Sequence, residues 1–123
     1  MKLSDFFHDY EMWCRHCGCL PDYGMDRRLL TVLDLARREA KQPIYVTSGY
    51  RCTTHNSAVG GAKESYHMRG MAADVFCEGL APKDLAEIIR AVMIRSNLSG
   101  GLQAYGENGF VHVDCRGYWA TWC

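Results

Sequence analysis

The spacing of apolar and polar positions divides the chain into helical and extended stretches. From about Asp26 to Ala40, Leu29, Leu30, Leu33 and Ala36 recur at three- and four-residue steps, while Arg27, Arg28, Arg37, Arg38 and Lys41 fall elsewhere. That period puts an apolar stripe on one face of a helix and a solvated basic face on the other. The same period returns at Leu85, Ile88, Ile89, Val92 and Met93. Pro82 precedes them and suits a first helical turn, where its missing N–H would have no partner anyway. Nearer the start, Phe6, Tyr10 and Trp13 lie at helical spacing behind Ser4, a good capping residue, which predicts a short helix laying an aromatic stripe on the domain.

Other stretches read as extended. Pro43 closes the first long helix, and Ile44-Tyr45-Val46-Thr47 forms a short strand that delivers Ser48-Gly49-Tyr50-Arg51 at its end. The polar segment from Thr53 to Glu64, with Asn56 and the pair Gly60-Gly61, predicts an ordered loop on the rim of a cleft. Ala72 to Cys77 reads as a strand beginning near Asp74. Gly100 to Tyr105 and Phe110 to Asp114 form a hairpin around Gly106-Glu107-Asn108-Gly109, with Asn-Gly expected to supply the positive φ angles. Trp119 to Trp122 is predicted as a last short strand. Helices grouped beside a small antiparallel sheet make the fold class α+β, in one domain spanning residues 1–123. That length buries a core without staples.

Charge narrows the partners. Fourteen basic and fourteen acidic residues cancel, leaving no long-range field to draw the chain to nucleic acid or an anionic membrane, and no apolar run reaches membrane-spanning length. A monomer without nucleic-acid or membrane partners is expected. Met1-Lys2-Leu3 is followed at once by Ser4 and Asp5, which leaves no apolar core for a secretory signal, so the expectation is a protein made in the cytoplasm. The seven cysteines, Cys14, Cys17, Cys19, Cys52, Cys77, Cys115 and Cys123, cannot all pair within one molecule. Cys14-x-x-Cys17-x-Cys19 resembles half of a structural zinc site, but no second Cys-x-x-Cys exists and Cys52 or His16 would have to complete it. Reduced thiols packed as small hydrophobes, a second metal and a disulfide all remain open.

The densest chemistry lies in Ser65-Tyr66-His67-Met68-Arg69-Gly70-Met71-Ala72-Ala73-Asp74, with a further histidine, His112, in the run Phe110-Val111-His112-Val113-Asp114. Two imidazoles and one carboxylate suit a catalytic zinc ion, which keeps its fourth position open for water; magnesium or calcium would call for more oxygens. Zinc lowers the pKa of such a water toward about 7. Asp114 shares a strand face with His112 because they are two residues apart, so it is the first candidate for general base. The alternative is that it orients a ligand. Arg51, at a strand end, is suited to grip a carboxylate or an oxyanion.

Ser65-x-His67-x-x-Gly70-x-Ala72-x-Asp74, followed by a strand bearing His112, resembles the zinc signature of the M15 metallopeptidases, the D-alanyl-D-alanine carboxypeptidase and murein endopeptidase family. Ser48-Gly49-Tyr50-Arg51, Asn56, Val59-Gly60-Gly61-Ala62, and the C-terminal part with Gly100-Gly101, Tyr105, Arg116 and Trp122 extend the likeness, which points to the family's small, phage-associated branch. The resemblance implies a Hedgehog/DD-peptidase-like fold and zinc held by His67, Asp74 and His112. It makes Arg51 a substrate-binding residue and Ser65 a supporting group. The implied activity is zinc-dependent hydrolysis of a peptide bond in a peptidoglycan stem peptide or cross-link, by carboxypeptidase or endopeptidase action, with the wall reached after lysis or by delivery in a particle. Relatives carry a histidine or an acidic residue two or three positions before the last metal histidine, where this chain has Phe110 and Gly109. Glu107 is therefore a weaker substitute as base. The cysteines occupy no signature position and are expected to be dispensable for hydrolysis. A non-catalytic zinc module of the Hedgehog type is the alternative reading, and a domain whose cysteines hold its principal metal is a third.

Overall fold

In a computed structural model of the chain, residues 1–121 are described. The elements run in the order α1 (Asp9–Met12), α2 (Arg27–Ala40), β1 (Tyr45–Ser48), α3 (Thr53–Ala58), a 3-10 turn (Tyr66–Arg69), β2 (Ala72–Phe76), α4 (Pro82–Arg95), β3 (Leu102–Ala104) and β4 (Val111–Asp114). The four strands form one sheet in the order β1-β2-β4-β3, every neighbouring pair antiparallel. Helices beside a small antiparallel sheet make this an α+β fold.

The two long helices follow the apolar period. Asp26 caps α2 by accepting from the N–H groups of Arg28 (2.8 Å) and Leu29 (3.3 Å), which satisfies donors that a helix start leaves without partners. The α2 stripe buries Leu29, Leu30, Leu33 and Ala36, and α4 buries Leu85, Ile89, Val92 and Met93. These side chains join Ala73, Val75, Leu102, Val111 and Val113 from the sheet in one core. Burying each large aliphatic side chain contributes roughly 1.5–3 kcal/mol. Because strand side chains alternate, committing Ala73 and Val75 of β2 and Val111 and Val113 of β4 to the core turns Asp74, His112 and Asp114 to the opposite face.

Four expectations are corrected. Ser4 does not cap a helix; its hydroxyl donates to Asp34 at 2.9 Å, and α1 is a single turn opened at His8. The buried residues there are Phe7 and Met12, while Phe6, Tyr10 and Trp13 are exposed, because one turn of helix cannot present a longer stripe. The segment expected as a loop from Thr53 contains α3, started by the Cys52 sulfur accepting from the His55 N–H at 3.4 Å. The hairpin forms, with the Tyr105 N–H donating to the Phe110 carbonyl at 2.8 Å, but its positive φ falls at Gly106 (67°) and not at Asn108. Gly109 is required for a different reason: a Cβ there would lie 2.0 Å from the Tyr105 carbonyl oxygen. The expected last strand reduces, among the described residues, to a bridge between Gly101 and Ala120; Trp122 lies outside them.

Candidate metal centre

The sheet register brings two of the three candidate ligands together. Asp74 on β2 and His112 on β4 are direct cross-strand partners, and antiparallel partners sit within reach of a shared atom. His67 arrives from the 3-10 turn, which is opened by the Ser65 hydroxyl accepting from the His67 N–H (3.2 Å) and closed at Gly70 in the left-handed conformation, φ 68°. A side chain at Gly70 would also press on Pro21, at 2.9 Å from its Cγ, so only glycine fits.

His67 Nε2 and His112 Nδ1 each lie 3.2 Å from the same oxygen, Asp74 Oδ1, with all three residues buried. The remaining ring nitrogens are spoken for. His67 Nδ1 stands 2.8 Å from the Gly49 carbonyl, which only accepts, so this nitrogen carries the proton. His112 Nε2 stands 2.8 Å from Asp114 Oδ2 and likewise donates. Neutral imidazoles fixed in these tautomers aim the lone pairs of Nε2 and Nδ1 at a carboxylate oxygen. Three electron-rich donors facing one another repel unless a cation lies among them, and the nitrogen and oxygen set suits zinc. The donor chemistry therefore fits the metal that the sequence resemblance implies. Where no ion lies among them the same nitrogens can instead take up protons and donate to Asp74: burial works against ionising this carboxyl, but such bonds from His112 and His67 outweigh it and hold it well below the usual carboxylate range.

Supporting groups hold each ligand from behind. Arg51 donates to the outer oxygen of Asp74, Oδ2, at 3.2 Å, and is itself held by Ser48 Oγ (3.1 Å) and Asn56 Oδ1 (3.2 Å). Asp114 is fully buried behind His112. Its carboxylate accepts from the Gly101 N–H (2.8 Å), from the Arg116 N–H (3.1 Å), and from Arg116 Nε (2.9 Å) and Nη2 (2.7 Å) in a paired grip. Burial pushes the Asp114 pKa up, and the bonds from His112 and Arg116 more than reverse this. On the His112 side burial lowers the pKa, and the bonds to Asp114 and Asp74 raise it overall.

These groups open on a cavity of about 520 Å³ whose walls include Arg51, Glu64, Tyr66, Tyr105, Phe110 and Arg116 around His67, Asp74 and His112. Glu107 is not on its wall and borders a separate pocket with Phe76 and Pro82. Several wall residues had no role assigned from the sequence, Glu64, Arg116 and the aromatic rings of Tyr66, Tyr105 and Phe110 among them. Glu64 sits three residues before His67, a spacing that could have flagged it; Arg116 was visible only as part of a pattern, and its grip on Asp114 requires the turn after β4. The Arg116 guanidinium also lies over the Tyr66 ring, 4.4 Å from its centre.

A model of the peptidase M15 family matches residues 7–114. Over 118 residues the chain is 33% identical to proteins named peptidoglycan L,D-endopeptidase MepK from Escherichia coli K12, Escherichia coli O157:H7 and Shigella flexneri. The match covers 92% of this chain and 59% of those proteins, so the chain spans little more than half of the relatives' length.

Proposed function

The chain belongs to the peptidase M15 family, and from that premise we propose that it is a zinc peptidase that cuts a peptide bond within bacterial peptidoglycan. The observation that carries this reading is the convergence of His67 Nε2, Asp74 Oδ1 and His112 Nδ1 at an open cavity. The relatives' name as L,D-endopeptidases favours an internal bond over trimming of a terminal D-alanine. His67, Asp74 and His112 would hold the zinc, which when bound would supply Lewis acidity toward a carbonyl and toward water near neutral pH.

The chain's own groups do the rest. Asp114 keeps the proton of His112 on Nε2, and the Gly49 carbonyl keeps that of His67 on Nδ1, so both ligand nitrogens stay unprotonated. This filled and buried carboxylate is read as a positioning group and not as the general base. Arg51 turns Asp74 so that Oδ1 faces the centre, while its exposed edge forms cavity wall. Glu64, the wall carboxylate besides Asp74 among the described residues, is exposed and is assigned the proton transfer to the departing amine. Tyr66, Tyr105 and Phe110 give an extended peptide an aromatic surface, and the two wall arginines favour a substrate bearing carboxylates, as peptidoglycan peptides do.

The test is digestion of purified peptidoglycan read by mass spectrometry. The wild-type protein should release fragments cut at one internal bond and lose this activity with a chelator, and zinc should restore it. His67→Ala and His112→Ala should each lose one zinc per chain and all turnover. Glu64→Gln should keep its zinc and lose about 10²–10⁴ in rate. Unchanged zinc in both histidine variants would sink the ligand assignment, and wild-type turnover in Glu64→Gln would sink that of the proton-transfer group.

A further inference from the structure

A second set of metal-binding side chains stands apart from the cavity. Cys14, Cys17 and Cys52 place their sulfur atoms within 4.8 Å of one another, and the Cys19 sulfur is 2.7 Å from that of Cys17. None of the four lines the cavity. The turn that gathers them is well defined. The Gly18 N–H donates to the Cys14 carbonyl and the Cys14 N–H to the Cys19 carbonyl, both at 2.8 Å, and Gly18 adopts φ 68° directly after Cys17. Cys52 comes from another part of the chain, one residue after Arg51, and its N–H points at the Cys14 sulfur at 3.4 Å.

We propose that Cys14, Cys17, Cys19 and Cys52 form a closed structural site for a second zinc ion, which pins the N-terminal segment to the turn that carries Arg51. Four thiolates in tetrahedral array are the donor set of a non-catalytic zinc, and the Cys-x-x-Cys spacing is the usual means of presenting two of them. Four protons leave as the ion binds, one from each thiol, and no oxidant is needed. Backbone N–H groups directed at sulfur stabilise the thiolate form. At Cys14 burial pushes the pKa up, but N–H groups of Cys52, Cys17 and His16 bring it down to about 7. The ion would close a chain of contacts already present: the Tyr50 N–H donates to the Met12 carbonyl at 2.8 Å, and the Arg51 N–H to the His67 carbonyl at 3.1 Å. Cys77 and Cys115 lie in the hydrophobic core and, among the described residues, belong to no such cluster.

The test uses the whole protein, purified without oxygen, with zinc and thiol reactivity measured together. Two zinc ions per chain are expected. Cys17 and Cys19 are exposed, yet they should react slowly with a thiol reagent until a mercurial displaces one zinc and frees four thiols together. His67→Ala should retain this zinc, and Cys14→Ser combined with Cys52→Ser should lose it while keeping the other. Should the double variant not fold, cobalt substituted into the wild-type protein should show thiolate-to-cobalt charge-transfer absorption that survives in His67→Ala. Rapid reaction of Cys17 and Cys19 in metal-loaded protein would overturn the proposal, as would a disulfide among the four. So would a single zinc that disappears with His67→Ala, a result that would leave the peptidase reading intact.

Discussion

The histidine–aspartate centre and the cysteine cluster each gather donors from distant parts of the chain, but they are held in different ways. Asp74 and His112 are facing partners on neighbouring strands, with Val75, Val111 and Val113 packed beneath them and Arg51 and Asp114 fixing their orientation. Three of the four cysteines lie on a loop with no strand or helix of its own, and the fourth starts a six-residue helix. A backbone ladder places Asp74 and His112 of the first set, and a capped turn His67, before any ion binds. The second set rests on local turns and a few single contacts such as the Cys52 N–H at the Cys14 sulfur, with no ladder beneath it, so an ion there would hold the loop more than the loop holds the ion. Catalysis needs the first arrangement, because a reacting group must be positioned within a fraction of an ångström; a staple tolerates the second.

Breaking the support of the ladder-held centre should have the largest effect. Asp114→Asn should weaken zinc affinity by roughly 10–100-fold, with added zinc restoring most of the turnover, measured by titrating zinc against activity. A fully metallated variant that stays inactive would return Asp114 to the role of base. The pH dependence has a definite sign. The Asp114 pKa is depressed in the folded protein, so its contribution to stability is present above the unfolded value of about 3.9 and fades as pH falls below it. The stability gap between wild type and Asp114→Asn, followed by denaturant melts, should therefore narrow below about pH 4.

A smaller effect is expected where a loop meets the site. A Cβ at Gly61 would lie 2.1 Å from Asn56 Oδ1 and 3.0 Å from Arg51 Nη1, so Gly61→Ala must displace the pair that steadies Asp74. Turnover should fall by up to about 10²-fold with zinc content unchanged, as kinetics beside metal analysis would show. Loss of zinc instead would mean that Arg51 supports the ion itself. The smallest effect belongs to the scaffold. Asp26→Ala removes the α2 cap and should cost about 1 kcal/mol in a chemical melt while leaving kcat in place.

The sequence by itself determined the two long helices, the hairpin and the candidate metal-binding trio, because each rests on a local signal: an apolar period, a glycine-rich turn, or a motif with fixed spacing. Its register of apolar residues also implied which strand face His112 and Asp114 share. Only the tertiary structure decided what that face meets. Asp114 ends behind His112 in the grip of Arg116, and Glu107 falls outside the cavity, because strand order and the turn after β4 set these contacts and neither has a short-range signature. The same holds near the N-terminus. Helical spacing pointed to Phe6, Tyr10 and Trp13, yet a single turn formed and buried Phe7 and Met12, since a short helix takes its buried face from whatever it packs against. Cys52 could be drawn toward Cys14 and Cys17 only by folding, which brings together positions thirty-eight residues apart in sequence.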